Sequence, residues 1–108
     1  MATSYKILGQ AHLTTTSDTD IYTVPSATET IISTMIVANI GTAATTFNIA
    51  LRQDGDTLAN KHYVAKSIPV SASDSTTLTL GMALEATDVV TVAAPDLADA
   101  LSFNLFGA

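Results

Sequence analysis

Thr45-Thr46-Phe47-Asn48-Ile49-Ala50-Leu51-Arg52 decides the fold class. Phe47, Ile49 and Leu51 fall on one side of an extended chain, and Thr46, Asn48, Ala50 and Arg52 on the other. A period of two belongs to a strand with one face buried, not to a helix of 3.6 residues per turn. Residues 76–84 repeat the pattern with Leu78, Leu80, Met82 and Leu84 pointing inward. Residues 101–105 repeat it again through Leu101, Phe103 and Leu105. Residues 31–39 alternate less, because Ile31, Ile32, Met35, Ile36 and Val37 supply both faces. That pattern predicts a central strand, covered on both sides or meeting a partner with its outer face. Shorter strands are expected at 5–8, 21–24, 61–66 and 89–93, where β-branched and aromatic residues concentrate.

Turn residues punctuate these runs at even spacing: Gly9-Gln10, Pro25-Ser26, Asn39-Ile40-Gly41, Asp54-Gly55-Asp56, Ser73-Asp74-Ser75 and Thr87-Asp88. Many short strands without a long helical period mean a sandwich or a barrel. A single turn of helix or a plain turn is expected at residues 95–100, where Pro95 suits a first helical position. The sequence therefore predicts an all-β chain. The expected architecture is a single-domain antiparallel β-sandwich over residues 1–108, jelly-roll-like, of about eight short strands.

Composition narrows what such a domain can do. Of 108 residues, 47% are apolar and only 13% charged, about half the usual share of roughly 25%. Ten acids against four Lys and Arg give a formal charge of −6, so no basic footprint exists to contact nucleic acid. With no Cys, a disulfide or a thiolate metal site is excluded. The longest apolar-looking run, residues 31–40, is interrupted by Ser33, Thr34 and Asn39 and is too short to span a bilayer, so no membrane partner is expected. The first six residues lack an apolar stretch, so no secretory signal is read there.

Chemistry-bearing residues are sparse. His12 and His62 are the only imidazoles, and neither has a second ligand at metal-binding spacing. Asp54-Gly55-Asp56 has the carboxylates of a calcium loop, but Thr57-Leu58-Ala59 supplies no further ligand. Asp-Gly suits a tight hairpin turn with positive φ, and whether Asp54 and Asp56 hold an ion stays open. There are 27 Ser and Thr residues, yet no nucleophile elbow and no Gly-rich phosphate loop. No catalytic residue, metal ligand or cofactor site is assigned, and no enzyme activity is expected. Of the aromatics Tyr5, Tyr22, Tyr63, Phe47, Phe103 and Phe106, most read as core or barrel-end residues, and Phe106, out of phase with Phe103, reads as an interface residue.

Taken in order, several blocks carry a resemblance. They are Tyr5-Lys6-Ile7-Leu8-Gly9-Gln10, Ile21-Tyr22-Thr23-Val24-Pro25, Val37-Ala38-Asn39 and Phe47-Asn48-Ile49-Ala50-Leu51-Arg52. They continue through Leu58-Ala59-Asn60-Lys61-His62-Tyr63, Thr77-Leu78-Thr79-Leu80-Gly81, Asp88-Val89-Val90-Thr91-Val92 and Ser102-Phe103-Asn104-Leu105-Phe106-Gly107. The chain resembles small virion structural proteins of phages of marine and freshwater bacteria, a family of capsid decoration, cement and tail-fibre-like proteins. Ala94-Pro95-Asp96-Leu97 departs from that pattern, being more acidic and carrying a proline. The resemblance implies a particle component and transfers no catalytic residue.

The leading expectation is a homo-trimeric decoration protein on the outer capsid surface, with the major capsid protein as partner. A tail location, with a tail protein as partner or a host-surface glycan bound by the loops, is the alternative. Cement predicts apolar residues on an edge or a flat face. Glycan binding predicts aromatics clustered on loops, and an enzyme predicts a cleft with His62 and an acid within hydrogen-bond reach. The candidate interface residues are Tyr5 and Ile7 on the first strand, Asn60, Lys61, His62 and Tyr63 ahead of the fifth, and Phe106 near the end.

Overall fold

The computed structural model describes residues 5–108; the first four residues, part of the stretch read for a signal, lie outside them. Eight strands follow one another: β1 (Lys6–His12), β2 (Thr19–Thr23), β3 (Thr30–Asn39), β4 (Thr45–Arg52), β5 (Tyr63–Val70), β6 (Ser75–Leu84), β7 (Val89–Ala93) and β8 (Leu101–Gly107). They form two antiparallel four-stranded sheets, ordered β1-β8-β3-β6 and β2-β7-β4-β5. This is the strand order of a jelly roll, two Greek keys wound into a double sheet. Sequence neighbours are largely divided between the sheets, and the first strand pairs with the last.

The alternation read from sequence builds the core. Phe47 and Ile49 of one sheet meet Met35, Val37, Leu101, Phe103 and Leu105 of the other, all fully buried. Phe47 and Phe103 pack edge to face across the gap, ring centroids 6.2 Å apart. That geometry sets the positive edge of one ring against the negative face of the other. β3 is a central strand, between β8 and β6, as its two-sided apolar pattern predicts.

Residues 95–100 form turns, one of the two expected outcomes; Asp99 takes φ 64° there, a conformation that ends helical winding. Two other local features depart from the expectations. Asp54 and Gly55 both take positive φ, as an Asp-Gly pair favours, but they open a ten-residue connection and not a tight hairpin. β5 starts later than expected and continues past Lys66, with Ser67 at φ 54° marking a bulge.

One buried polar residue ties an end of the sandwich. Asn39 is 2% exposed. Its Nδ2 donates to the Ala43 and Val70 carbonyls at 2.9 and 3.2 Å, and its Oδ1 accepts from the Gly41 amide at 2.9 Å. With its bonding capacity largely met, the amide costs little to bury and fixes the β3–β4 turn against β5.

Candidate functional site

The register places three cross-strand rows on the outer face of the β1-β8-β3-β6 sheet. The first holds Ile7, Phe106, Thr34 and Thr79; the second Gln10, Asn104, Ile36 and Thr77; the third His12, Ser102, Ala38 and Ser75. Ile31 and Ala83 extend the face beyond the first row. None of these residues carries a carboxylate, an ammonium or a guanidinium. All ten acids lie in connections or on β2, and Lys6, at the rim, is the one Lys or Arg in the four strands. Ile7 is 53% exposed and Ile31 47%, while Phe106 and Ile36 are half-buried. The outcome is a flat, uncharged face on a chain with a formal charge of −6.

The other outer face is built differently. Arg52 donates from Nε to Thr91 Oγ1 at 3.0 Å and from Nη2 to Asp20 Oδ1 at 2.9 Å. From Nη1 it donates to the Gly55 and Asp56 carbonyls at 3.1 and 2.9 Å. Thr91 Oγ1 donates to the same Asp20 oxygen at 2.8 Å. Beneath this lattice Ala50, Thr91 and Ala93 are buried although their side chains point away from the core. Around Arg52 this face has closed on itself and offers charges at its surface, while Val64 on the edge strand β5 is 49% exposed.

The structure divides the candidate interface residues into two groups. Ile7 and Phe106 pair across β1 and β8 on the uncharged face, and Tyr5, 75% exposed, lies just ahead of β1. Asn60, Lys61, His62 and Tyr63 precede or open β5, in the other sheet and at its far edge from β2. Because β1 lies against β2, the two groups occupy opposite corners of the sandwich, and a single flat partner does not cover both. His62 also departs from its expected role as a surface or interface imidazole. It is buried, and its Nδ1 accepts from the Ala59 amide at 2.9 Å, closing a 3-10 turn. The Tyr63 ring is half-buried with Lys66 Nζ 4.2 Å from its centroid.

His62 lines an open depression of about 540 Å³ together with Leu51, Gln53, Asp54, Asp56 and Lys61. Its Nε2 is 3.9 Å from Asp56 Oδ2, beyond hydrogen-bond reach. The nearby carboxylates are engaged by the backbone and by hydroxyls. Asp54 Oδ1 accepts from Thr87 Oγ1 at 2.7 Å, and Asp56 Oδ1 accepts from the Thr57 amide at 2.9 Å. Asp88 accepts from the Asp54 and Glu85 amides, each at 2.9 Å. Among the described residues no three His, Cys, Asp or Glu side chains gather in a metal-holding arrangement. Aromatic rings are equally dispersed: Phe47 and Phe103 are in the core, Tyr22 packs against it, and the connections from residue 13 to residue 100 carry no aromatic.

The sequence points to Tyr5, Ile7 and Phe106 as candidate interface residues and to an outward apolar side of the 31–39 strand, but it does not place Ile31 and Ile36 on one face with Ile7 and Phe106. The available signal was the lack of acids through β1, β3, β6 and β8, visible only once those four strands are known to share a sheet. Among the described residues no helix is long and apolar enough to cross a membrane. No family model matches the chain, and no curated protein or solved structure matches it either.

Proposed function

We propose that this chain is a bacteriophage virion structural protein. It acts as a capsid decoration (cement) protein, setting the uncharged face of its β1-β8-β3-β6 sheet on the outer head surface, across joints between major capsid subunits. The observation that supports this reading is the segregation of charge. Ten acids avoid one whole sheet, leaving Ile7, Ile31, Ile36 and Phe106 among Thr, Ser, Asn and Gln. Burying such a face desolvates no ion, and its hydroxyls and amides can pair across an interface. The jelly roll itself recurs in capsid and lectin domains, which is an argument by analogy only. Aromatics on loops, the feature a glycan-binding module would need, are not part of this surface.

The mechanism is linkage. A protein that binds the assembled shell and not its separated subunits stabilises the shell by RT ln(1 + [L]/Kd). Many copies on a regular lattice let each contact be weak, and copies gather as homo-oligomers on the particle.

The test is to incubate tagged protein with virions or empty heads of a phage encoding it, and to map added density by electron microscopy. Regular density on the head lattice is the expected result. The double variant Ile36→Lys, Phe106→Lys should lose at least about 100-fold in head binding, since it buries two unpaired charges. Density on the tail alone, or none on heads, overturns the decoration reading in favour of a tail accessory protein.

A further inference from the structure

The two sheets expose four edge strands, and three of them are guarded. β1 and β2 protect each other across the closed corner of the sandwich, where Gly9 approaches so closely that a Cβ there would stand 2.6 Å from the Ile21 carbonyl oxygen. β2 is also short and carries the exposed Asp20. β5 carries Lys66, the bulged Ser67 and Pro69, each a device that blocks pairing with another strand. β6 has none of these over its first six residues, Ser75-Thr76-Thr77-Leu78-Thr79-Leu80. They hold no charge, no proline and no glycine, and they have high β-propensity. Gly81, at φ 64°, then interrupts the run.

The apolar side of the same strand is also incomplete. Met35 and Val37 in the neighbouring β3 are fully covered, whereas Leu78 and Leu80 point inward and remain half-exposed at the open side of the sandwich. An added strand would pair the free backbone groups and cover both leucines.

We propose that the occupant is β6 of a second copy of this chain, paired antiparallel about a two-fold axis at Leu78. In that register Leu78 faces Leu78 of the second copy, Thr77 faces Thr79, and Thr76 faces Leu80. Inward residues oppose inward residues and threonines oppose threonines, which are favourable cross-strand partners. Asp74 falls opposite Met82, so the acids of two chains of charge −6 are not brought face to face. A foreign strand would need the same length and the same lack of charge; a second copy has both by identity. The pair joins two sheets into one of eight strands and doubles the uncharged face. The paired edge is about 20 Å long at roughly 3.4 Å per residue, which places the contact among small, weak interfaces. The dimer is a different assembly from the trimer expected from sequence, and it holds wherever the chain resides.

The test is sedimentation equilibrium of the full chain over a wide concentration range, for the wild type and two double variants. The wild type should form a dimer with a micromolar dissociation constant and should stop there, because pairing consumes the open edge. Thr77→Glu combined with Thr79→Glu sets carboxylates against each other and should weaken the dimer at least 10-fold. Thr77→Lys combined with Thr79→Lys should do the same, and mixing the two double variants should restore a mixed dimer. That rescue separates loss of pairing from loss of folding. A monomer at every concentration, a trimer, an open-ended aggregate, or a dimer indifferent to these changes overturns the proposal. Head binding is a separate measurement, so failure here leaves the decoration reading to its own test.

Discussion

Across the centre of one outer face the Arg52 guanidinium lies over Thr91 and ends on Asp20. Across the centre of the other, Ile36, Asn104 and Ser102 stay half-exposed. Both faces belong to antiparallel four-stranded sheets with the same alternation, so secondary structure does not account for the contrast. The difference is where polar groups find partners. On the β2-β7-β4-β5 sheet they find them within the chain, and small residues such as Ala50 and Ala93 are buried beneath. On the β1-β8-β3-β6 sheet the Gln10–Asn104 side-chain bond is a lone direct link between outward amides, and most of the face remains open to whatever binds it. A self-satisfied face contributes to the stability of the monomer, and an open face is available for association.

That comparison can be broken at several points. The inner face of β8 provides the reference. Phe103→Ala should destabilise the fold by about 3–5 kcal/mol, because it removes the fully buried ring that meets Phe47. Urea unfolding checks this, and a loss below about 1 kcal/mol would show that the sheets do not pack through this pair. Next in size is Arg52→Ala. The side chain is 17% exposed and makes four hydrogen bonds, two of them holding the turn after β4. The expected loss is about 2 kcal/mol in the same experiment, with the half-exposed Asp20 pair adding little of it. A neutral result would remove the distinction between a self-satisfied face and an open one. The smallest effect is expected for Gln10→Ala on the open face, where an exposed pair is cut; unfolding should move by less than about 0.5 kcal/mol. A larger shift would mean that this face, too, supports the monomer.

Much of the architecture was legible in the chain. The observed limits of Thr45–Arg52 and Val89–Ala93 match those the sequence predicts, because both runs are rich in β-branched and apolar residues. β1 starts one residue later than the sequence predicts and runs four residues further. Its second half, Gly9-Gln10-Ala11-His12, has little strand preference of its own and is extended by pairing with β8. β5 differs from the expected 61–66 at both ends for a related reason. Asn60-Lys61-His62 turns back on itself through the His62–Ala59 bond, and Pro69 sits on an edge where its missing amide is not needed. The exposure of the candidate residues was half legible. Ile7 lies on the outer side of β1 and Tyr5 just ahead of it, both exposed as expected, whereas burial of His62 depends on a turn that local sequence does not announce.

The sequence by itself determined that this is an acidic, all-β sandwich with Phe47, Leu78 and Phe103 facing its core. Strand period and residue type are local properties, and a two-residue repeat assigns each side chain a face without reference to the rest of the chain. Only the tertiary structure decided that β1, β8, β3 and β6 share a sheet, although β1 and β8 stand at opposite ends of the chain. Pairing between distant strands is selected by the packing of the whole core. For that reason the uncharged outer face and the unguarded edge of β6, both sums over several strands, emerge only when the chain is folded.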